Sequence, residues 1–148
     1  MMPTIEAFIA EGYSHRQKQE IIESMTHAVV ASIDAPIDSV RVILNEVAAH
    51  DTGIGGAPAA ALTSPGTGQG LAISVVQAFL IAGRSDAQKR RLIAALTDVM
   101  AELPGAARSA VRIIIKDIPN TDFGLAGKTA QSLGRGVGRG AMEAARMR

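Results

Sequence analysis

The 148-residue sequence contains no cysteine and no tryptophan, and its aromatic residues are one tyrosine and three phenylalanines. Without cysteine there is no disulfide framework, no thiolate metal site and no thiol nucleophile, which fits a reducing compartment. With so few aromatics the core must be aliphatic, and a 47% apolar content is enough to build one. A dominant charge is missing as well: 15 Lys and Arg stand against 14 Asp and Glu, for a net +1. That balance argues against nucleic acid or a membrane surface as partner. No apolar run approaches the roughly 18 residues of a membrane span. The N-terminus also lacks the basic-then-apolar order of a signal peptide, because Glu6 and Glu11 interrupt it. A single cytoplasmic domain is expected. His15, His27 and His50 share no metal-ligand spacing. Gly53-Ile54-Gly55-Gly56 does not follow the strand-to-helix turn of a nucleotide loop, and suits a tight hairpin better. Neither metal nor cofactor is expected.

What is present is a repeat. Displaced by 71 residues, positions 3–59 lie on 74–130 without a gap, and 16 of the 57 pairs are identical. Unrelated sequences would match at roughly one position in fifteen. Ala7-Phe8 falls on Ala78-Phe79, and Gly12-x-Ser14-x-x-Gln17-Lys18 on Gly83-x-Ser85-x-x-Gln88-Lys89. Val40-Arg41 falls on Val111-Arg112, and Asp51-x-Gly53 on Asp122-x-Gly124. The pattern indicates duplication and fusion of one unit. Residues 3–59 form the first unit, 60–73 a Gly/Pro/Ala-rich linker, 74–130 the second unit, and 131–148 a Gly/Arg-rich tail read as a flexible or docking segment.

Each unit reads as strand, helix, strand. Residues 4–9 and 75–81 have strand character. Ser14 and Ser85, each followed three residues later by Gln, form capping boxes that start helices. Ile21, Ile22, Met25, Val29 and Ile33 keep helical spacing, as do Leu92, Ile93, Leu96, Met100 and Leu103. The helices stop near Pro36 and Pro104. Residues 40–44 and 111–115 are continuous apolar strands, expected to be buried on both faces. A β-helix-β unit pairs its strands in parallel through a crossover. The expected fold is therefore α/β, with two tandem β-α-β units forming a four-stranded sheet and two helices on one face. The other face would meet further copies of the chain.

Pro3 at the start of a strand, Glu11-Gly12, the Ser-capped helix with Gln17-Lys18, Asp34-Ala35-Pro36, Ser39-Val40-Arg41-Val42-Ile43 and Gly53-Ile54-Gly55-Gly56 occur in an order that resembles 4-oxalocrotonate tautomerase. The second half resembles another copy, so the chain is similar to fused members of the tautomerase superfamily from Pro3 to about Ala130. The resemblance implies an amino-terminal proline as general base, two substrate-binding arginines and a pocket aromatic, drawn from different copies of the unit. Pro3 matches the proline, whereas its counterpart Ser74 is internal and offers no amine. Arg84 matches the early arginine, where the first unit has Tyr13. Phe123 matches the aromatic, where the first unit has Thr52. The strand arginine is present twice, as Arg41 and Arg112. Either can serve Pro3, and the plain alternative for both is an ion pair across chains with Glu46 or Asp117. The losses are complementary, which implies one complete site per chain, built across its two halves.

The implied function is an isomerase interconverting enol and keto forms of a 2-hydroxydienoate or related 2-oxo acid, in a homotrimer of fused chains. Two alternatives remain. One is a dehalogenase, hydratase or decarboxylase of the same superfamily, using protonated proline and a water-activating carboxylate, for which none of Glu6, Glu11 and Glu46 stands out. The other is a non-catalytic oligomer that keeps Met1 and Met2, so that Pro3 never becomes terminal.

Overall fold

A computed structural model describes residues 3–62 and 74–136. In the first unit β1 (Thr4–Ala10) leads to α1 (His15–Ile33), which returns the chain to β2 (Arg41–Val47). A small hairpin of β3 (Gly53–Ile54) and β4 (Ala57–Pro58) follows, then a single turn, α2 (Ala59–Leu62). The second unit repeats the order with β5 (Val75–Ile81), α3 (Asp86–Ala101), β6 (Arg112–Ile118) and a hairpin of β7 (Gly124–Leu125) and β8 (Lys128–Thr129).

Local chemistry sets the helix ends. Ser14 Oγ accepts from the Gln17 N–H at 3.1 Å, and Gln17 Oε1 accepts from the Ser14 N–H at 2.8 Å. Ser85 and Gln88 reproduce this box at 3.1 and 2.9 Å. At the far end of α1, Asp34 takes a left-handed conformation with φ 53° and Pro36 blocks continuation. The second helix closes at a Glu102 cap, just ahead of Pro104.

The main sheet has the order β2-β1-β5-β6. Within each unit the strands are parallel, with Thr4 opposite Arg41 and Val75 opposite Arg112. Between units β1 and β5 are antiparallel, from Thr4 opposite Phe79 to Phe8 opposite Val75. Glu6 and Gln77, which are equivalent in the repeat, face each other at the centre, and Gln77 Nε2 donates to Glu6 Oε1 at 3.4 Å.

Both helices lie on one face and share one core. Ile5, Ala7 and Ile9 from β1 and Val76, Ala78 and Leu80 from β5 meet Ile21, Met25, Val29 and Ile33 of α1 and Leu92, Leu96 and Met100 of α3. The buried stripe is narrower than the sequence suggests. Ile22 and Ile93, one residue round the helix from the stripe, are 39% and 41% exposed. A step of one residue rotates a side chain by about 100°, away from the sheet.

In the single chain the sheet is covered on one face only, so burial of the other face rests on the further copies expected there. Ile43 is 48% and Ile114 45% exposed on the face opposite the helices. That face is mixed rather than apolar, because Glu6, Gln77, Arg41, Arg112 and Lys116 share it with Phe8 and Phe79. Lys116 Nζ sits 5.4 Å from the centroid of the Phe79 ring. Inside the chain, Glu46 is paired with Lys18 and Asp117 with Lys89, one pair in each repeat. The linker reading is corrected at its start, since Ala59–Leu62 is a helical turn, and its positions 63–73 lie outside the described residues.

The buried stripe makes a direct prediction. Leu96→Ala should lower unfolding free energy by about 2–5 kcal/mol, whereas Ile93→Ala should change it by less than about 0.5–1 kcal/mol. Urea denaturation of the two variants at matched chain concentration checks this; equal losses would contradict the assigned core.

Candidate active site

Topology gathers residues at the two ends of the sheet. Because β1 and β2 are parallel, Pro3 and Arg41 begin at the same end, where the Arg41 N–H donates to the Pro3 carbonyl at 3.0 Å. The antiparallel β5 finishes at that end, so Arg84, three residues past Ile81, is carried there too. β6 runs parallel to β5 and delivers the β7–β8 hairpin, with Phe123 at its base, to the same end. The opposite end collects the counterparts Ser74, Arg112, Tyr13 and Thr52, and there the Arg112 N–H donates to the Ser74 carbonyl at 2.8 Å.

At the Pro3 end lies a cleft of about 440 Å³ lined by Thr4, Asp38, Ser39, Arg41, Phe123, Gly124, Leu125 and Arg135. It spans the two units, with one wall from β1 and the turn before β2, and the other from the second hairpin. The Pro3 ring is fully buried next to Thr4. Asp38 and Ser39 reach the cleft from a short 3-10 turn, Ile37–Ser39, fixed by the Ser39 hydroxyl donating to the Pro36 carbonyl at 2.7 Å. Phe123 is half-buried, and its carbonyl accepts from the Ala130 N–H at 2.8 Å, closing the hairpin. Thr52 and Ala59 make the same closure in the first unit at 2.7 Å. In that hairpin, Gly55 and Gly56 turn with φ of 61° and 87°, and a Cβ on Gly53 would sit 2.6 Å from the Ala57 carbonyl oxygen. The glycine run is thus explained by hairpin geometry.

The structure brings Arg41 and Phe123 together in this cleft, with Pro3 beside it. Arg84 is at the same end but turned elsewhere: its guanidinium donates to the Ile33 carbonyl at the C-terminus of α1. Burial lowers the Arg84 pKa from its ordinary value, and the nearby Asp34 charge acts in the opposite sense. Arg112 lies at the far end of its own chain, exposed at the start of β6, with a guanidinium N–H donating to the Ser109 carbonyl at 2.9 Å.

Two cleft residues escape the sequence reading. Asp38 is signalled only by its place one residue before the Ser39-Val40-Arg41 motif. Arg135 stands in the tail, where it reads as one of several arginines in a flexible segment. Of the two readings of the tail, docking describes residues 131–135, which are hydrogen-bonded to Asn120, Thr129 and Ala130, while 137–148 lie outside the described residues.

Of the carboxylates considered from sequence, Glu6 is bonded by Gln77 at the sheet centre, Glu46 is paired with Lys18, and Glu11 follows the far end of β1. Tyr13, standing where the second unit has Arg84, lines a separate opening of about 280 Å³ between the helices with Glu20, Glu102 and Leu103. Burial raises the Tyr13 pKa. Among the described residues no group of three or more acidic or histidine side chains is placed to hold a metal ion. No described helix is long and apolar enough to cross a membrane.

Comparison with known proteins agrees with this architecture. A family model described as "Tautomerase enzyme" matches residues 3–61 and again 75–131. A 2-hydroxymuconate tautomerase of Pseudomonas putida is 44% identical over 61 residues, covering 41% of this chain and 97% of the relative. The crystal structure of a native fused 4-OT has 48% identity and a TM-score of 0.78, covering 89% of this chain and 99% of its own. A second fused 4-OT, described as an asymmetric trimer, has 42% identity and a TM-score of 0.77 over the same shares. With both repeats matched by the family model and the whole fused architecture shared with solved relatives, the chain belongs to the tautomerase family of enzymes.

Proposed function

We propose that this isomerase interconverts the enol and keto forms of a 2-hydroxydienoate or related 2-oxo acid, with Pro3 as general base once Met1 and Met2 are removed. The observation that carries the proposal is the cleft in which Arg41 and Phe123, from different units, meet beside Pro3. A terminal proline is a secondary amine, ordinarily protonated at neutral pH. Burial and the neighbouring positive charge of Arg41 both disfavour the ammonium form, so the amine becomes a competent base near neutral pH. Pro3 takes the enol hydroxyl proton, the electron pair moves through the diene, and the proton is returned to a diene carbon to give the conjugated ketone. Arg41 holds a carboxylate in charge-assisted hydrogen bonds and stabilises the developing dienolate oxygen. Phe123 excludes water, which strengthens both effects. Arg84 adds positive charge at the same sheet end, and Arg112 belongs to the set as a residue supplied by a neighbouring chain.

Such a neighbour is part of the proposal. Fused relatives are described as trimers, and the half-exposed Ile43 and Ile114 offer a contact face. We infer a homotrimer of the 15.3 kDa chain. Sedimentation should give the trimer mass, and Ile43→Asp should shift it to smaller species; a monomer in the unaltered protein would refute this.

Asp38 favours a second reading, in which protonated Pro3 and a water-activating carboxylate perform hydration, dehalogenation or decarboxylation, because it lines the same cleft. The pH–rate profile separates the two. With neutral Pro3 as base, kcat/KM rises as pH increases through the proline pKa. With protonated Pro3 as acid it falls over that interval.

The primary test is Pro3→Ala, which should lower kcat/KM on 2-hydroxymuconate about 10²-fold or more with an unchanged circular dichroism spectrum. Intact mass of the untagged protein should show both methionines missing. An unaltered rate in Pro3→Ala would sink the mechanism, and retained methionines would favour the non-catalytic oligomer.

A further inference from the structure

We propose that the opening between the two helices is a binding site for a small organic cation, a guanidinium group on a short aliphatic stem. It lies on the helix layer, where Tyr13 follows β1 and α3 ends, and does not depend on the reaction at the Pro3 cleft.

The comparison of one repeat with the other carries the inference. The 71-residue offset relates the end of α1 to the end of α3, so that Ser32 and Ile33 correspond to Leu103 and Pro104. At the α1 end two arginines of the second unit occupy the space. Arg84 donates to the Ile33 carbonyl, and Arg91 Nε donates to the Ser32 carbonyl at 3.4 Å. Ser32 Oγ also lies 3.4 Å from the Arg91 carbonyl and donates to it. Two guanidinium groups thus meet the negative end of the α1 dipole.

At the α3 end both arginines are missing. Tyr13 stands in the place of Arg84 and Glu20 in the place of Arg91, while Glu102 stands where the first unit has Ala31. What remains is the opening of about 280 Å³, bordered by Tyr13 and Glu20 from the first unit and by Glu102, Leu103 and Pro104 from the second. None of its described lining residues is a lysine or an arginine. Glu102 forms no ion pair among the described residues. Arg16 approaches Glu20 at 3.6 Å, but its side chain is 90% exposed and it does not line the opening.

The same place in the fold therefore holds two positive side chains in one repeat, and an opening with two carboxylates in the other. A helix C-terminus and two carboxylates favour a cation. A planar guanidinium suits them because it forks its donors toward carboxylates and carbonyls and stacks on an aromatic ring such as that of Tyr13. Ile21 and Val99 supply apolar wall for a stem. The volume lies at the small end of ligand sites, so the stem is short. Both carboxylates belong to exposed residues, which keeps the affinity modest.

The test uses the chain's one tyrosine as reporter, because with no tryptophan present its fluorescence reads Tyr13 alone. Titration of the full chain with butylguanidinium should give a saturable change with a midpoint on the order of 1 mM. Butylurea, a neutral ligand of the same shape, should give none. Glu20→Gln/Glu102→Gln should weaken butylguanidinium binding about tenfold. Glu20→Arg, which puts the residue type of position 91 into the first unit, should abolish it by supplying the guanidinium from the chain itself. Both variants keep Tyr13, and both alter exposed positions, so an unchanged circular dichroism spectrum is expected. No saturable response in the unaltered chain, an equal response to butylurea, or undiminished binding in either variant would each overturn the assignment.

Discussion

The antiparallel pairing of β1 with β5 is the constraint on which the rest of the structure depends. A parallel β-α-β unit alone has a two-stranded sheet and one helix, too little to enclose a core. Joined along this edge, the units make one four-stranded sheet, place α1 beside α3, and close a single aliphatic cluster from Ile5 to Met100. The pairing centres on Glu6 and Gln77, which are 71 residues apart and occupy the same place in their units. This register decides which residues of one unit meet which residues of the other. A slip of one position would turn the buried side chains of β5 to the opposite face and separate the two halves of the cleft.

About that centre the two ends have become different molecules. One brings together Pro3, Arg41, Phe123 and Arg135, and the other Ser74, Arg112, Tyr13 and Thr52. The framework is shared at both. Capping boxes, hairpin closures and the Lys18–Glu46 and Lys89–Asp117 pairs recur with the repeat. Divergence is confined to side chains that the framework presents. Even Arg84 and Tyr13, equivalent in sequence, are used differently: one donates to the last carbonyl of α1, while the other borders an opening at the end of α3.

Much of this was legible in the sequence because the determinants are local. Ser followed three residues later by Gln fixes a helix start within one turn, and Asp34-Ala35-Pro36 ends it by backbone sterics. That Phe123 and Pro3 share one site was implied by the resemblance to fused tautomerases, which the repeat carries. What was not legible depends on contacts remote in sequence. The exposure of Ile22 and Ile93 depends on the angle at which each helix meets the sheet and its neighbour. Asp38 enters the cleft only because a 3-10 turn directs it there. Arg135 lies in a segment whose composition reads as flexible, and its position depends on Ala130 and Asn120. The direction of Arg84 toward Ile33 likewise follows from packing between units, which periodicity does not encode.

The hydrogen bond between the Arg41 N–H and the Pro3 carbonyl has a further meaning. The β2 ladder takes only the carbonyl of the first residue, and Arg112 treats Ser74 in the same way. The nitrogen of that residue contributes nothing to this ladder bond, so it is equally compatible with a free terminus or with a preceding peptide. Under the proposed mechanism, joining two units end to end keeps the architecture and removes one reagent, because the nitrogen of Ser74 is an amide and not an amine. The second end keeps the shared scaffold, with Ser74, Arg112, Tyr13 and Thr52 where the first has Pro3, Arg41, Arg84 and Phe123.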